Sequence, residues 1–514
     1  MQGESRVKKS LLNAKVNTIC YFVALAVAFF TRKVFIDQLG IEFTGLTSSL
    51  QSILGFLNLA ELGVATAIGY VLYKPIFDND KVQINEIISV FGYLYRWIGY
   101  VILGAGIVLS FFLPLIFSEA PFSYPVLFLG FYAFLASSLF GYFLNYKISL
   151  LAADQKNYVV TGYFQLITTV KSLVQMVLAL YFKDFILYFV IEILAGIANS
   201  IILNIKIRKT YPWLESELKE GRRLLSKYPL VGKYIKQLFV HRIASFVQFQ
   251  ILPVLILSYV SIAVVGLYAN YTLIADKVRL FISGVLDSTT AGVGNLISEG
   301  NKKKILGTFC ELYSLRFYVC SLFTVCLYML ISSFVQLWLG EDYLLSSLIV
   351  ALVCFHFFLL TLRGTTDQFL NGYGMFYDVW APVAEVVIFI ASSIVFGSLW
   401  GLAGVLMGPL VSTILIVHIW KPVFLYSRGF RVSFWRYLWL LGNNAVAFAI
   451  TLITVYFADM ALNAVINFNG WLGWVVSACV ITIVTVVAGL VAFYLLTPLK
   501  VFVNRFVKIK LLEK

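Results

Sequence analysis

Residues 470–497, near the C-terminal end, read GWLGWVVSACVITIVTVVAGLVAFYLLT, and this stretch decides the fold. It contains no charged residue and exceeds the roughly 20 apolar residues that an α-helix needs to cross a bilayer. It is longer than a strand and lacks the roughly ten-residue alternating pattern of a membrane barrel. The stretch therefore predicts a transmembrane helix.

Similar apolar runs occur along the whole chain, which has 514 residues, is 61% hydrophobic and 12% charged, and has a mean hydropathy of +0.90. A soluble domain carries about twice that share of charged residues. The sequence thus predicts an all-α polytopic membrane protein. About fourteen transmembrane helices are predicted, at residues 14–39, 46–73, 88–117, 122–145, 158–181, 184–205, 238–260, 262–286, 310–338, 343–362, 376–397, 399–420, 437–459 and 470–497.

Nearly all lysines and arginines fall in alternate gaps between these runs. One set of gaps holds basic clusters: before the first run, at 206–236, at Lys302–Lys304 with Arg316, and in the tail. The gaps that alternate with these hold little more than Lys183. Basic loops of membrane proteins face the cytoplasm, so both termini are predicted to be cytoplasmic. The net charge of +14 then reflects topology and contact with anionic lipid head groups, and nucleic acid is not an expected partner.

The chain also contains an internal repeat. A constant shift that places residues 79–81 on 300–302 aligns the second half with the first, without a gap, over a long stretch. Arg96 and Arg316 then fall one position apart, each entering the third span of its half. Parallel repeats predict two six-helix lobes around a central cavity, although chance similarity between apolar sequences is an alternative.

The predicted domains follow from this repeat. Apolar and charged residues alternate around Trp213 in the linker, which predicts an amphipathic helix on the inner membrane surface; a solvated linker is the alternative. The domains are an N-terminal lobe with spans 1–6 (1–205), a cytoplasmic amphipathic linker (206–237), a C-terminal lobe with spans 7–12 (238–422), and two extra C-terminal spans with a basic tail (423–514).

An enzyme is disfavoured by the pattern of loops and motifs. The predicted outer loops are short, and no paired-carboxylate, nucleophile-elbow or phosphate-loop motif occurs in the sequence. The six cysteines lie within apolar runs and lack the spacing of a metal or redox pair. We therefore predict a transporter with neither a metal site nor a cofactor.

Charged side chains at bilayer depth are the main functional candidates, because placing one there costs at least about 3 kcal/mol. The basic candidates for substrate binding are Arg32, Lys33, Lys171, Arg242, Lys277 and Arg279. For Arg32 and Lys33 the alternative is snorkelling to the outer head groups, and for Arg242 it is an interfacial anchor.

Acidic residues within the spans are candidates for coupling transport to an ion, since a desolvated carboxyl group can bind a proton or a cation. Asp276 and Arg279 are three positions apart and share a helical face, so a structural pair is the alternative there. Arg363 and Asp367, one turn apart, are interpreted as a solvated helix end. For each glutamate, a hydrogen-bonded neutral carboxyl group within the packing is the alternative. The coupling candidates are Glu61, Glu192, Asp276 and Glu385.

Three groups of residues resemble a known family, and the resemblance covers essentially the whole chain. The family is that of the bacterial O-antigen and capsule repeat-unit flippases, within the multidrug/oligosaccharidyl-lipid/polysaccharide exporter superfamily. The groups are Leu39-Gly40 to Gly45 with Glu61-Leu62-Gly63 and Leu72-Tyr73; Val265-Gly266-Leu267-Tyr268-Ala269-Asn270-Tyr271 with Ser298-Glu299-Gly300-Asn301-Lys302; and Asn371-Gly372, Asp378, Pro382, Glu385, Gly401 to Gly408 and Trp420-Lys421-Pro422.

The resemblance implies a central cationic cavity and movement of an undecaprenyl-diphosphate-linked oligosaccharide from the inner to the outer leaflet of the bacterial cytoplasmic (inner) membrane. It implies Na⁺ or H⁺ as the coupling ion, and glycan polymerase or assembly proteins are candidate partners. The chain departs from the related lipid II flippases at Tyr271, where they have an arginine. That arginine cannot be carried over.

Other functions stay open at this point. A multidrug or toxin cation antiporter of the same superfamily favours buried carboxylates, whereas basic residues are in excess here. A membrane-embedded glycan-assembly enzyme needs a substantial outer loop, which this sequence does not predict. A non-transporting scaffold for glycan assembly is a further alternative.

Overall fold

The computed structural model of the protein is helical throughout its regular secondary structure. No strand occurs among the residues that the structure describes. The described residues are 6–57, 61, 64, 68, 71–72, 75–76, 78–118, 120–154, 156–229, 250–289, 293–294, 296–297, 299–375, 378, 380–465 and 470–504.

The chain divides into two compact units, Met1–Gly266 and Leu267–Lys514. One long helix, α8 (Ile262–Leu286), begins in the first unit and continues in the second. The other principal helices of the first unit are α1 (Arg6–Leu39), α2 (Ile41–Leu57), α3 (Lys81–Ser110), α4 (Tyr124–Leu144), α5 (Asn157–Phe182), α6 (Phe185–Thr210) and α7 (Gln250–Tyr259).

The described part of the second unit contains six further principal helices. One of them, α12 (Trp380–Ser412), continues to Phe430 through two stretches of π-helix, Thr413–Trp420 and Leu425–Phe430, with the short α-helical stretch Lys421–Phe424 between them. The helices are α9 (Lys302–Leu339), α10 (Ser347–Leu362), α11 (Gly364–Gly372), α12 (Trp380–Ser412), α13 (Trp435–Val465) and α14 (Gly470–Leu496).

The prediction of an all-α polytopic membrane protein is confirmed. Among the described residues, ten helices are long and apolar enough to cross a membrane. The number is below fourteen because the predicted spans 46–73 and 238–260 lie partly outside the described residues, α8 carries three charged side chains, and the predicted spans 376–397 and 399–420 both fall in the single stretch Trp380–Phe430. The count of fourteen and the cytoplasmic termini stay predictions.

The α12 helix is in fact two antiparallel halves. Its backbone leaves the helical conformation at Trp400 and Gly401, where Gly401 has φ +55° and ψ −130°, a region that favours glycine. The halves then pack closely, because a Cβ at Gly404 would lie 1.8 Å from the Phe396 carbonyl oxygen. Two helices therefore correspond to the predicted spans 376–397 and 399–420.

The turns before α3 and α9 have the same conformation. Asn79 and Gly300, which the repeat places on one another, both have positive φ, at 56° and 74°. The next residue caps a helix in each case: Asp80 Oδ1 accepts from the Gln83 amide at 3.0 Å, and Asn301 Oδ1 accepts from the next helix at 3.2 Å. The two turns thus match in the register of the repeat, while the lobe boundaries stay predictions.

The predicted linker, 206–237, is described as far as residue 229; residues 206–210 belong to α6, and residues 211–229 do not form the expected amphipathic helix. Only Gly221–Leu225 is α-helical there, and the segment packs against the start of α3. The Glu217 amide donates to Ser89 Oγ at 2.9 Å, and a Cβ at Gly221 would lie 2.6 Å from the Ser89 carbonyl oxygen. Alternating apolar and charged residues therefore serve here to bury one side of an irregular strap.

The C-terminal helices α13 and α14 pack on each other and on α9. Asn444 Nδ2 donates to Ser314 Oγ at 3.2 Å, and the Tyr318 hydroxyl donates to the Val486 carbonyl oxygen at 3.3 Å. These bonds join the predicted appendix to the long helix of the second unit.

Candidate functional site

Two predicted site residues form an ion pair inside the first unit. Lys171 on α5 donates from Nζ to both carboxylate oxygens of Glu192 on α6, at 3.0 and 2.8 Å. Gln175, one turn after Lys171, lies 3.4 Å from the same carboxylate and donates to the Tyr188 carbonyl oxygen at 3.0 Å. The basic and the acidic candidate therefore belong to one site and neutralise each other's charge.

Arg32 lies on α1, which packs against α5. Its guanidinium is half-buried, donates from Nη2 to the Gly266 carbonyl oxygen at 3.2 Å, and lies close enough to Tyr188 to interact electrostatically. The Tyr188 ring packs edge-on against Phe35, one turn after Arg32. Arg32 therefore shares the α1–α5–α6 region with Lys171 and Glu192.

Two further basic candidates in this unit lie elsewhere. Lys33 is exposed, and its ammonium is 3.7 Å from the Asp37 carboxylate one turn later on the same helix. This arrangement is typical of a residue at a helix surface. Arg242 lies outside the described residues.

The candidates on α8 form a local pair, as their spacing predicts. Arg279 donates to Asp276 Oδ1 at 3.3 Å, and Asp276 is exposed. Lys277 is half-buried. Tyr271, at the position where the resemblance predicts an arginine, is fully buried, and its hydroxyl accepts from the Leu345 amide at 3.1 Å. That position therefore serves packing in this chain.

Glu61 is the acidic candidate with neutral donors. The hydroxyl of Tyr95 on α3 donates to Oε1, and that of Tyr142 on α4 donates to Oε2 at 2.8 Å. Glu192, Asp276 and Glu385 each have a basic side chain within 4 Å. Within the described contacts, Glu61 is thus the candidate that is held by hydroxyl groups rather than by a cation.

Glu385 belongs to a charged network in the second unit. Its carboxylate lies 3.9 Å from Arg363 Nη1, and Arg363 Nε donates to Asp367 Oδ2 at 2.9 Å. Lys421 Nζ donates to the other oxygen of Asp367 at 2.8 Å. The interpretation of Arg363 and Asp367 as a solvated helix end is wrong, because both side chains are mostly buried and linked across three helical segments.

A second ion pair, between a buried arginine and a half-exposed aspartate, was not among the predicted site residues. Arg316 on α9 is only 2% exposed and donates from Nη2 to Asp287 Oδ1 at 2.6 Å and from Nη1 to the Thr361 carbonyl oxygen at 3.2 Å. Gln368 also donates to Asp287, at 3.3 Å. Arg316 was not predicted as a site residue because it lies near the start of the predicted span 310–338, whereas in the structure it lies almost four turns, about 21 Å, beyond Lys302, the first residue of α9.

A described cavity of the first unit lies away from these charges. A cavity of about 570 Å³ in the first unit is lined by α2, α7 and the end of α3, including Ile53, Leu109 and Val254. Its described lining contains no charged side chain. Among the described residues, no group of three or more His, Cys, Asp or Glu side chains is placed to hold a metal ion.

Comparison with known proteins shows the fold. The inward-closed lipid II flippase MurJ matches with a TM-score of 0.65 and 15% identity, covering 93% of this chain and 98% of that chain. An inward-facing multidrug resistance MATE family transporter of the MOP superfamily matches with a TM-score of 0.60 and 14% identity, covering 78% and 95%. A MATE structure in the bent conformation matches with a TM-score of 0.52 and 13% identity, covering 82% and 96%.

No family model and no curated protein sequence matches the chain. The likeness is therefore one of three-dimensional structure. This chain has the fold that the lipid II flippase and the MATE transporters share.

Proposed function

We propose that the protein is a transporter of this superfamily that moves undecaprenyl-diphosphate-linked oligosaccharides from the inner to the outer leaflet of the bacterial cytoplasmic membrane. The observation that carries the proposal is the likeness to a lipid II flippase over nearly the full length of both chains. The similar protein is a flippase of lipid II. The mechanism that we propose for this chain is alternating access.

The basic residues of the first unit support a diphosphate ligand. Arg32 and Lys171 lie on neighbouring helices in the membrane-spanning part, where a charge is retained only at a cost. A guanidinium binds phosphate oxygens through two parallel hydrogen bonds, and an ammonium acts as a compact charge. Lys33, Lys277, Arg279 and Arg242 stay in the proposal as further basic candidates.

The Lys171–Glu192 pair sets a condition on binding. Both carboxylate oxygens of Glu192 already accept hydrogen bonds from Lys171. A diphosphate that reaches this ammonium must compete with the carboxylate, so the pair favours release as well as binding. Replacing only Lys171 would leave Glu192 buried without its cation, which is why the two are best replaced together.

We propose Na⁺ or H⁺ as the coupling ion, with Glu61 as the first candidate. Its described partners are hydroxyl groups, which can reorient toward a bound cation or a proton. Glu192, Asp276 and Glu385 are each beside a basic side chain, which already supplies the balancing charge.

The test is a flipping assay in proteoliposomes with undecaprenyl-diphosphate oligosaccharide, with and without an ion gradient. We expect protein-dependent appearance of sugar on the opposite leaflet and a response to the gradient. Arg32→Gln should slow flipping about tenfold, as for loss of one charge-assisted hydrogen bond. The matched control is Arg96→Gln on α3, whose side chain is exposed. Flipping at the original rate in Arg32→Gln would remove this arginine from the site.

A cation antiporter is the second candidate function, and Glu61 is the observation that favours it. A half-buried carboxylate held by hydroxyl groups can bind an organic cation, and a MATE transporter has the same fold. Export of a fluorescent organic cation from the same proteoliposomes, without movement of the lipid-linked sugar, would establish that function and exclude the flippase.

A further inference from the structure

Two basic side chains at one end of the first unit have no part in the proposed transport site. Lys147 lies just after α4, and Arg208 lies in the last turn of α6. Lys147 is half-buried, Arg208 is exposed, and the two are close enough to repel each other. This end of the unit carries the basic loops that the positive-inside rule predicts to be cytoplasmic.

The surrounding side chains hold the two helix ends together. Asn204 on α6 donates from Nδ2 to the Leu144 carbonyl oxygen at 3.1 Å and lies 3.2 Å from Asn145 Oδ1. Asn145 Nδ2 in turn donates to Ser200 Oγ at 3.0 Å. Arg208 is one turn beyond Asn204 and on the same helical face. The two cations are therefore fixed near each other by rigid elements.

Their charges are not balanced by the described protein. No carboxylate among the described residues forms an ion pair with Lys147 or Arg208, and the acidic residue of the same connection, Asp154, binds Lys156 at 2.7 Å and Tyr211 at 2.8 Å. Burial, together with the nearby guanidinium of Arg208, lowers the pKa of the Lys147 ammonium. Two like charges held together at a half-buried position favour a bound anion.

We propose that Lys147 and Arg208 bind the phosphate group of an anionic phospholipid in the leaflet at this end of the protein. Basic sites between transmembrane helices on the cytoplasmic side bind acidic lipid head groups in this way. The guanidinium contributes a planar donor pair, and the ammonium contributes a point charge. The acyl chains then lie along the lipid-facing surface of α6, which exposes Ile201 and Ile205.

The test measures binding of dioctanoyl phosphatidylglycerol to the detergent-solubilised protein, through its effect on the thermal unfolding temperature. Each basic residue near a membrane surface contributes about 1 kcal/mol, so Lys147→Gln with Arg208→Gln should weaken binding about thirtyfold. The matched control is Lys219→Gln with Arg222→Gln, two exposed basic residues in the linker. This control removes the same charge and should change affinity less than about twofold.

Equal losses in the control variant, or unchanged binding in the Lys147/Arg208 variant, would overturn the proposal. So would equally tight binding of dioctanoyl phosphatidylcholine, which has no net charge. Should the double variant fold poorly, Arg208→Gln alone replaces an exposed side chain and should weaken binding about fivefold.

Inorganic diphosphate serves as a competitor in the same assay. Competition would show that the site recognises the phosphate group itself, so that a free phosphate compound can also occupy it. Absence of competition at millimolar concentration would show that the acyl chains contribute to recognition of the phospholipid. Both results retain the site and distinguish the source of the phosphate.

Discussion

The third long helix of each half places a different donor at the same register of the repeat: Tyr95 on α3 and Arg316 on α9. Each donor binds a carboxylate of its own unit. In the first unit the acceptor is Glu61, which a second tyrosine, Tyr142, also binds. In the second unit it is Asp287, which Gln368 also binds.

The two carboxylates, Glu61 and Asp287, therefore differ in whether their described donors carry a positive charge. The guanidinium in the second unit supplies a full positive charge, so Asp287 is neutralised by the protein itself. The phenols in the first unit supply hydrogen bonds but no charge, which is why Glu61 is the proposed site of the coupling ion. In the second unit the protein supplies the balancing charge, and in the first unit the described contacts do not.

The largest effect is expected from Asp287→Ala. Arg316 is 2% exposed, and this change leaves its guanidinium with the Thr361 carbonyl oxygen as its described partner. Removing one member of a fully buried ion pair costs about 3–5 kcal/mol. Asp287 is about half exposed, so water screens part of this cost, and the unfolding temperature in detergent should fall by several degrees. For Asp287→Asn, which keeps an acceptor oxygen, the unfolding temperature should fall less. An unfolding temperature unchanged by Asp287→Ala would show that this pair is not structural.

A smaller loss of stability is expected from Gly364→Ala. A Cβ at Gly364 would lie 1.9 Å from Arg316 Nη1, and this guanidinium cannot move away without losing its bonds to Asp287 and Thr361. Overpacking of this kind costs about 1–3 kcal/mol. The matched control is Gly307→Ala on α9, where a Cβ meets no atom within 4 Å. Thermal unfolding of the two variants should therefore differ in sign or size; equal behaviour would contradict a fixed guanidinium.

Glu61→Gln should leave the fold intact and remove the response to an ion gradient. The amide can still accept from one tyrosine and donate to the other, so the stability change should stay below about 1 kcal/mol. Gradient-driven transport is then measured in proteoliposomes. Glu385→Gln serves as the comparison, since Glu385 lies beside Arg363. Loss of the gradient response in Glu385→Gln, with retention in Glu61→Gln, would reverse the assignment of the two units.

The smallest effect is expected from Arg96→Ala. In the repeat Arg96 falls one position from Arg316, yet its side chain on α3 is exposed. A surface substitution of this kind changes stability by no more than about 0.5 kcal/mol. Thermal unfolding of Arg96→Ala beside Arg316→Ala tests whether burial, rather than sequence register, decides the role of an arginine. A large loss in Arg96→Ala would contradict the comparison.

The membrane class could be predicted from sequence because an apolar run long enough to cross a bilayer is a local property of the chain. The correspondence of the loops before α3 and α9 was also visible, since the repeat places Asn79-Asp80 on Gly300-Asn301, and the structure shows a left-handed residue followed by a helix cap in both. By contrast, the linker pattern around Trp213 predicted a surface helix, and the structure shows an irregular strap on α3 instead. The alternation of apolar and charged residues around Trp213 indicates that one side of the segment is buried. An irregular strap and a helix can both bury one side.

The candidate site was predicted only in part. Lys171 and Glu192 were each recognised as charges at bilayer depth, but their pairing depends on the rotation of α5 against α6, which sequence does not specify. Tyr95 and Tyr142 carry no charge and could not be distinguished among 30 tyrosines. Arg316 was assigned to a cytoplasmic gap because α9 was expected to begin at residue 310, whereas it begins at Lys302.

The turn at Trp400 and Gly401 has a consequence for how the protein is made. Two residues leave no hydrophilic loop between the halves of α12, and their glycine faces already lie in contact. The first half therefore lacks its packing partner in the bilayer until the second half has been synthesised. We expect the pair to enter the membrane together as a helical hairpin, so that residues 380–430 are inserted as one unit.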